Sequence, residues 1–416
     1  SRAKANISSL QSFWIRNHYI NEALFVISGD SVTRLTRREM LKTAVGAGLA
    51  PLILSGCGRS SADTPEQAGV VPWVPFPPRA VKQGGQIVFG YELYIGRVLS
   101  LGLTITGIQI LRDGPTGTEI KTYEGAELAQ CLFSKVIPFS AEEAIFKGGD
   151  YAVLLAWPSI DVSAPIPAAL YHRVFFSNGA VISGGTASIS TEATLISPPV
   201  KGWGWFANFG PSNLDTHHRK SITIMQMEDG PFKISISQRF ATDWMKIDPS
   251  NMRLYSNEGE TNEDFYCYGA EVLAVAAGTV RNALDGLPEG PPGTDRPVPM
   301  TSQNAFGNSV VIEFDDGRYG AYCHLKPGTV SVAANQRVTP GQVIGSLGNS
   351  GNSDCPHLHF HVCNSPEALF SEGLPFSYAS YQLLGTYTDL FSPWTPSASP
   401  QTRTSEMPEI NQVLAL

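Results

Sequence analysis

The sequence predicts a mainly β protein in which an N-terminal antiparallel β-sandwich is followed by a second β-sheet domain. The chain has 40 Gly and 30 Pro, and only 16% of its residues are charged, a composition typical of many strands and turns. Short apolar runs recur between turn signals, whereas long helical periodicities are scarce. A length of 416 residues favours two folded domains with appended segments.

The N-terminal region carries the pattern of an exported lipoprotein. Residues 1–35 show no clear pattern and are left unassigned, whereas residues 36–57 combine Arg37-Arg38, a short apolar run and a Leu-Ser-Gly-Cys ending. The run is too short to span a membrane. The paired arginines resemble a twin-arginine export signal and the ending resembles a lipobox, which predicts lipidation at Cys57. We therefore expect a membrane-anchored protein of the cell envelope, with a Pro/Ser-rich linker over residues 58–79.

The β-sandwich is predicted over residues 80–198. Its strands include Tyr151–Trp157 and His172–Phe176, and turn signals such as Asn178-Gly179 separate them. His172 has no acidic cluster beside it, so a structural role is expected. This domain is interpreted as a spacer or binding module in which no chemistry is visible.

The second domain is predicted over residues 199–390, followed by a tail at 391–416 in which Met407–Leu416 could add an edge strand. Three histidines alternate in this domain at His357, His359 and His361. Alternate residues of a strand share one face, and three imidazoles on one face suit a metal and proton-transfer chemistry. A hairpin at Asp315–Gly317 leads into a further strand that carries His324.

These motifs resemble the lysostaphin-like (LytM-type) zinc endopeptidases, which cut peptidoglycan cross-links. The matching blocks are Gly269–Val280, Gly307–Leu325, Gly341–Gly345 and Gly348–Val362. The resemblance implies a lysostaphin-like β-sheet metallopeptidase domain that holds Zn²⁺. It also implies that His359 is a zinc ligand and that His357 and His324 are a catalytic pair flanking the zinc-bound water.

The sequence departs from the family at the first ligand motif, which the family writes His-x-x-x-Asp. The corresponding stretch is Gln238–Trp244, in which Asp243 fits the carboxylate ligand but Arg239 occupies the histidine position. A guanidinium stays protonated and cannot bind zinc. Asp264 is an alternative carboxylate, but Glu260 stands four residues before it.

His218 is the predicted substitute ligand. Asp229-Gly230 is a two-residue hairpin signal, and pairing Glu228 with Pro231 places His218 opposite Ala241, on the face of Asp243. The predicted metal site is therefore His218, Asp243 and His359. A one-residue slip would bring His217 to that face instead. His361 shares the face of His359 but is expected to lie too far along the strand.

The leading functional prediction is a zinc metalloendopeptidase that hydrolyses the peptide cross-links of peptidoglycan. The alternative is a catalytically inactive lysostaphin-like domain acting as a wall-binding or regulatory module, which the missing first histidine motivates. A net charge of -8 without a basic stripe argues against a nucleic-acid partner. None of the six cysteines forms a CxxC pair, and the sequence fixes no disulfide.

Overall fold

The structure is a computed structural model. It describes residues 24–28, 31–35, 70–96, 98, 101–137, 149–212, 217–226, 232–293, 296–387 and 395–416. The predicted signal segment at 36–57, Cys57 included, lies outside these residues, as does the linker up to residue 69. Within the described ranges, no helix has the length and apolar character needed to cross a membrane.

Strands form about half of the described chain and helices only a small part of it, which confirms the mainly β prediction. The strands of the N-terminal half are β1 (Leu24–Ser28), β2 (Ser31–Leu35), β3 (Pro72–Trp73), β4 (Arg79–Gln83), β5 (Gln86–Gly96), β6 (Ile105–Arg112), β7 (Glu119–Glu124), β8 (Leu132–Ile137), β9 (Gly149–Ala156), β10 (Ser159–Asp161), β11 (Ala169–Phe176), β12 (Val181–Ser188) and β13 (Thr194–Ile196). Helix α1 (Gly125–Cys131) connects β7 to β8.

The antiparallel β-sandwich of the sequence prediction consists of two sheets. One has the order β10-β5-β9-β8, with β3 and β4 also paired to β5, and the other has the order β12-β11-β6-β7. One apolar cluster unites the inner faces of both sheets, with Leu93 and Leu154 from the first and Ile108 and Val174 from the second. All four side chains are fully buried. Alternating burial along β11 matches a strand with one face in this core.

The C-terminal half is also built of strands. They are β14 (Trp203–Asn208), β15 (Thr223–Gln226), β16 (Phe232–Ser235), β17 (Thr242–Lys246), β18 (Glu271–Leu273), β19 (Gly278–Leu284), β20 (Asn308–Phe314), β21 (Tyr319–Leu325), β22 (Arg337–Val338), β23 (Val343–Ser346), β24 (Leu358–Cys363), β25 (Gly373–Leu374), β26 (Phe376–Thr386), β27 (Thr395–Glu406) and β28 (Gln412–Ala415). A four-residue helix, α2 (His217–Lys220), precedes β15, and single 3₁₀ turns lie at Asn262–Asp264 and Ala368–Phe370.

One large sheet organises this half, with the order β13-β26-β28-β14-β17-β24-β21-β20-β19-β22. Strands β25 and β27 pair with β24 and β26, outside that path. The C-terminal strand β28 lies between β26 and β14, so the expectation of an edge strand near Met407–Leu416 was wrong. Val413 and Leu414 are fully buried because the sheet continues on both sides of them.

The hairpin predicted around Asp229-Gly230 differs from the observed one. Thr223 pairs with Ser235 and Ile224 with Ile234, a register one residue away from the predicted pairing. His217 and His218 lie in α2 rather than on the strand. Strand β1, in a region that showed no sequence pattern, pairs in parallel with β15.

The sandwich and the large sheet are in direct contact. Strand β13 lies within the predicted sandwich range yet pairs in parallel with β26 of the large sheet. Tyr94 and Val153 of the sandwich pack with Ile222, Ile234 and Ile236 in one buried cluster. The sheet that carries β5 and β9 therefore buries its outer face against the segment that follows α2. The predicted domain boundaries stay predictions.

His172 has the contacts of a structural histidine. Its ring is fully buried, and Nδ1 lies 2.8 Å from the carbonyl oxygen of Gly185. Because a carbonyl only accepts, Nδ1 carries the proton, and the hydroxyl of Tyr91 donates to Nε2 at 2.8 Å. Burial lowers the pKa of His172 to about 4.

We expect His172 to make folding sensitive to acid. The folded state binds fewer protons than the unfolded state between about pH 4 and the ordinary histidine pKa of about 6.5. The stability this residue contributes is therefore complete above about pH 6.5 and is lost as the pH falls toward 4, by up to about 3 kcal/mol. Urea unfolding of wild type and His172→Gln at several pH values measures this share. Parallel stability curves for the two proteins would contradict the prediction.

Candidate metal centre

The centre lies on three neighbouring strands of the large sheet, β17, β24 and β21. Asp243 pairs directly with His359, and His359 pairs with Cys323 on its other side. Directly paired residues share a face of the sheet, so the carboxylate and the imidazole meet without any long-range adjustment. The sequence patterns that singled out Asp243 and His359 thus correspond to adjacent positions.

His324 reaches the same centre through an irregularity in β21. The pairing with β20 shifts between Asn308 and Val310, and His324 has a φ of 64°. Positive φ is uncommon for a residue with a side chain, and such residues are found in turns and at functional sites. The backbone N–H of His324 donates to the carbonyl of Phe306 at 2.9 Å, outside the regular ladder. The bulge therefore turns His324 toward His357, with ring centroids 4.8 Å apart.

A glycine-rich turn fixes the orientation of the His324 ring. Its Nδ1 lies 2.8 Å from the carbonyl oxygen of Ser350. That carbonyl packs so closely against Gly307 that a Cβ on Gly307 would lie 2.4 Å from it. Gly307 also has a φ of 64°, which favours glycine. Gly307 therefore allows its own backbone segment to pack closely against the turn that contains Ser350.

His218 enters the centre from helix α2. Its Nε2 lies 3.4 Å from Oδ2 of Asp243, and its ring meets that of His359 edge-on at 4.9 Å. Nδ1 donates to the carbonyl of Phe209 at 2.9 Å, so Nε2 is the ring nitrogen that faces the carboxylate. The predicted proximity to Asp243 is present, although the hairpin register used to predict it was wrong.

The predicted ligand atoms converge. One ligand atom each from His218, Asp243 and His359 lies within 4.8 Å of the others, and all three residues are buried. Nδ1 of His359 is 2.9 Å from Oδ1 of Asp243. Asp264 is not part of this group. Instead, Asp264 accepts hydrogen bonds from Thr261 at the start of a 3₁₀ turn.

The predicted catalytic histidines lie beside the ligand cluster. Nε2 of His357 is 3.6 Å from Oδ1 of Asp243, and 13% of its side chain remains exposed. Its Nδ1 donates to the carbonyl of Cys355 at 2.8 Å. His357 and His324 thus share one tautomer, with the proton on Nδ1 and the lone pair on Nε2. That tautomer can accept a proton near a metal.

His361 and Phe306 both contact the ring of His359. Nδ1 of His361 lies 3.1 Å from Nε2 of His359, and the ring of Phe306 stacks on His359 at 5.7 Å and 22°. His361 is not in the ligand cluster, as its position along the strand predicted. To bind a metal through Nδ1, His359 needs a lone pair on that nitrogen and therefore carries its proton on Nε2. Nδ1 of His361 is placed to accept a hydrogen bond from that Nε2–H.

Burial sets the charge of the centre. It is the main cause that lowers the pKa of His359 to about 3 and the pKa of His324 well below its usual value. Both rings are therefore neutral near pH 7, as metal binding and proton acceptance require. Burial alone would raise the pKa of Asp243, but His218 and His357 hold it well below the usual value. Asp243 is thus a carboxylate surrounded by imidazoles.

Arg239, at the position of the family's first histidine, is not a ligand. Its guanidinium donates to Glu92 at 2.8 Å and to Glu372 at 2.8 Å, away from the cluster. No sequence pattern predicts these two acidic partners, because they lie 147 and 133 residues away from Arg239 in the chain. The described cysteines are all buried thiols, without a disulfide among them.

The donor set fits a catalytic zinc ion. Zinc accepts both imidazole nitrogens and carboxylate oxygens as ligands, and catalytic sites use three protein ligands with a fourth position open. The hydrogen bond from Nδ1 of His218 to a backbone carbonyl is the kind of outer contact that orients a zinc-binding histidine. The fold and the site together are those of a β-sheet protein with a candidate metallohydrolase centre.

Comparison with known proteins finds a family match in part of the chain. Residues 263–369 match the model of Peptidase family M23. The match supports an M23 peptidase domain in this part of the chain. It covers His324, His357 and His359, whereas His218 and Asp243 precede it.

A curated relative is the cell division protein DipM of Caulobacter vibrioides, which is 30% identical over 98 residues. The alignment covers 24% of this chain and 13% of that protein. The chain therefore spans only a small part of the relative it matches.

Solved structures with some likeness are the catalytic domain of the antimicrobial peptidase lysostaphin from Staphylococcus simulans and a zinc-containing peptidase from Vibrio cholerae. The first is 19% identical and covers 41% of this chain and 88% of its own, with a TM-score of 0.22. The second is 14% identical and covers 47% of this chain and 75% of its own, with a TM-score of 0.17.

We expect Gly307→Ala to destabilise the fold more than Gly341→Ala. Both glycines have positive φ, so each alanine meets the left-handed penalty of about 1–2 kcal/mol. A Cβ at Gly341 meets open space, whereas at Gly307 it collides with Ser350. The collision adds about 1–3 kcal/mol, which chemical denaturation of the two variants would measure. Equal losses of stability would contradict the packing argument.

Proposed function

We propose that the protein is a zinc-dependent metalloendopeptidase that hydrolyses the peptide cross-links of peptidoglycan. One observation carries the proposal: ligand atoms of His218, Asp243 and His359 lie within 4.8 Å of one another in a buried cluster. The M23 family match supports a peptidase, and the likeness to a cell division protein supports a substrate in the cell wall. We assign the three residues as the zinc ligands.

The residues around the cluster support hydrolysis. When bound, zinc lowers the pKa of water toward neutrality and polarises the scissile carbonyl. The Nε2 lone pairs of His324 and His357 are available to accept the proton of the attacking water, because each Nδ1–H donates to a backbone carbonyl. The protonated imidazole then returns that proton to the leaving amine. His357, the more exposed of the two, is assigned to the substrate side.

His361 is assigned to orient His359. His359 would hold zinc through Nδ1 with its own proton on Nε2, and Nδ1 of His361 is 3.1 Å from that nitrogen to accept the proton in a hydrogen bond. This contact keeps the ring in the tautomer that binds through Nδ1. It also gives a role to the histidine that the sequence pattern left without one.

The place of action proposed is the cell envelope. Export and lipid anchoring at Cys57 rest on the sequence of residues 36–57 alone. Metabolic labelling with a fatty-acid analogue checks this: we expect label on the wild type and none on Cys57→Ser. Label retained by the variant would rule out this anchor.

We expect the purified wild type to bind one zinc ion per chain and His218→Ala and His359→Ala to lose it. Each substitution removes one of three protein ligands, and elemental analysis after dialysis measures the metal content. His172→Ala is the matched control, because His172 is equally buried but belongs to the sandwich core. A His218→Ala variant that keeps its zinc would show that the third ligand is assigned wrongly. A wild type without zinc affinity would refute the whole proposal.

We expect His357→Ala to keep its zinc but lose hydrolysis. Removing a positioned proton acceptor typically slows a reaction by about 10²–10⁴-fold, and release of soluble peptides from purified peptidoglycan measures the rate. His172→Ala again serves as the control and should hydrolyse at the wild-type rate. A zinc-loaded wild type that binds peptidoglycan without cleaving it would instead support the non-catalytic wall-binding module.

A further inference from the structure

Two buried arginines flank the proposed ligands in the chain. Arg219 follows His218 directly, and Arg239 precedes Asp243 by four residues. Their side chains are 1% and 5% exposed. Both guanidiniums contact one carboxylate, that of Glu92, which is 2% exposed.

Glu92 belongs to the other half of the molecule. It lies on β5 of the sandwich, where it pairs with Leu155 of β9. Its Oε1 accepts a hydrogen bond from Arg219 at 3.0 Å, and its Oε2 accepts one from Arg239 at 2.8 Å. One sandwich residue therefore bridges the two chain segments that carry His218 and Asp243.

Arg219 fastens helix α2 to the sandwich sheet. Besides Glu92, its Nη2 donates to the carbonyl of Tyr91 at 2.7 Å and to that of Ala156 at 3.2 Å. Its guanidinium also lies over the ring of Trp157, 5.1 Å from the centroid. Because α2 has only four residues, a helix this short has little stability of its own. Its position therefore depends on such external contacts.

Arg239 fastens the turn that leads into β17. It joins Glu92 to Glu372, with 2.8 Å to the second carboxylate, and donates to the carbonyl of Gly373 at 3.1 Å. Gly373 begins β25, which pairs with β24, the strand of His359. The neighbouring Phe240 packs in a cluster with Val81 and Val88 of the sandwich. The ion pairs thus extend from the sandwich to both sides of the metal centre.

A buried charge is tolerated only where it is paired. Burial alone would raise the pKa of Glu92, but Arg239 and Arg219 hold it below the usual value, so Glu92 is ionised near neutral pH. Neutralising this carboxylate would remove the ion pair between Arg219 and Glu92 and leave Arg239 with one of its two carboxylate partners, in a closed interface. The segments that carry the two guanidiniums would then have to move toward other partners or water.

We propose that Glu92 is a positioning residue of the metal centre, which holds His218 and Asp243 in place through Arg219 and Arg239. The sandwich is therefore part of the scaffold of the site and more than a spacer. This inference rests on the proposed function, because it takes His218 and Asp243 as zinc ligands. It also accounts for Arg239 at the family's histidine position: the residue there binds the sandwich, and the ligand comes from α2.

The test is the zinc affinity of the full chain carrying Glu92→Gln, which removes the charge and keeps the shape. A chromophoric chelator in competition measures the dissociation constant, and we expect a rise of about 10–100-fold, as for the loss of outer contacts to metal ligands. Cobalt substitution gives a second readout, since a displaced ligand changes the visible absorption of the bound ion. The matched control is Glu406→Gln, because Glu406 is 1% exposed and pairs with Lys82 at 3.1 Å, in a different interface.

A folded Glu92→Gln with wild-type zinc affinity and an unchanged cobalt spectrum would overturn the inference and leave the proposed function intact. An equal loss of affinity in Glu406→Gln would also overturn it, since the effect would then be general destabilisation. If circular dichroism shows that Glu92→Gln is unfolded, Arg239→Lys carries the test, because it keeps the charge and loses the forked contacts that join Glu92 to Glu372 and Gly373. Unchanged affinity in that variant overturns the inference, and weakened affinity supports it. A wild type that binds no zinc refutes the proposed function itself.

Discussion

The candidate centre depends on the buried carboxylate of Asp243. Its two oxygens contact His218, His357 and His359, so a single side chain touches all three rings. Burying a carboxylate costs several kcal/mol unless it is paired. Imidazole side chains can pair with the carboxylate without adding a permanent positive charge, because histidine can be neutral near pH 7. A metal ion that binds the same atoms would satisfy the carboxylate more fully.

Backbone carbonyls decide what the imidazoles can do. The carbonyls of Phe209, Ser350 and Cys355 each accept the Nδ1 proton of a different histidine. Phe209 directly follows β14, whereas Ser350 and Cys355 both lie in the connection between β23 and β24. The lone pairs that face the centre are therefore a consequence of loop geometry. The bulge at His324 and the close approach of Gly307 to Ser350 serve that geometry. Strain in these segments is held by the regular strands on either side.

A second layer lies beneath the first. The imidazoles and carboxylate of the centre are held by segments that are themselves tied to Glu92 through guanidiniums. This arrangement separates two electrostatic tasks. The metal site needs little positive charge and an open coordination position. The layer beneath it uses permanent ion pairs in a closed interface, where they orient the segments that carry the ligands and do not compete for a metal.

The sequence alone determined the strand content, the alternation that puts His357, His359 and His361 on one face, and the candidate residues Asp243, His324 and His218. Local periodicity and turn chemistry carry that information. It did not determine how His218 reaches Asp243, because α2 and the register of β15 with β16 are fixed by packing against the sandwich. The internal position of β28 and the role of Glu92 also required the tertiary structure, since each rests on contacts between residues far apart in the chain. Short-range sequence patterns identify candidate residues, but only long-range packing determines which of these residues are in contact.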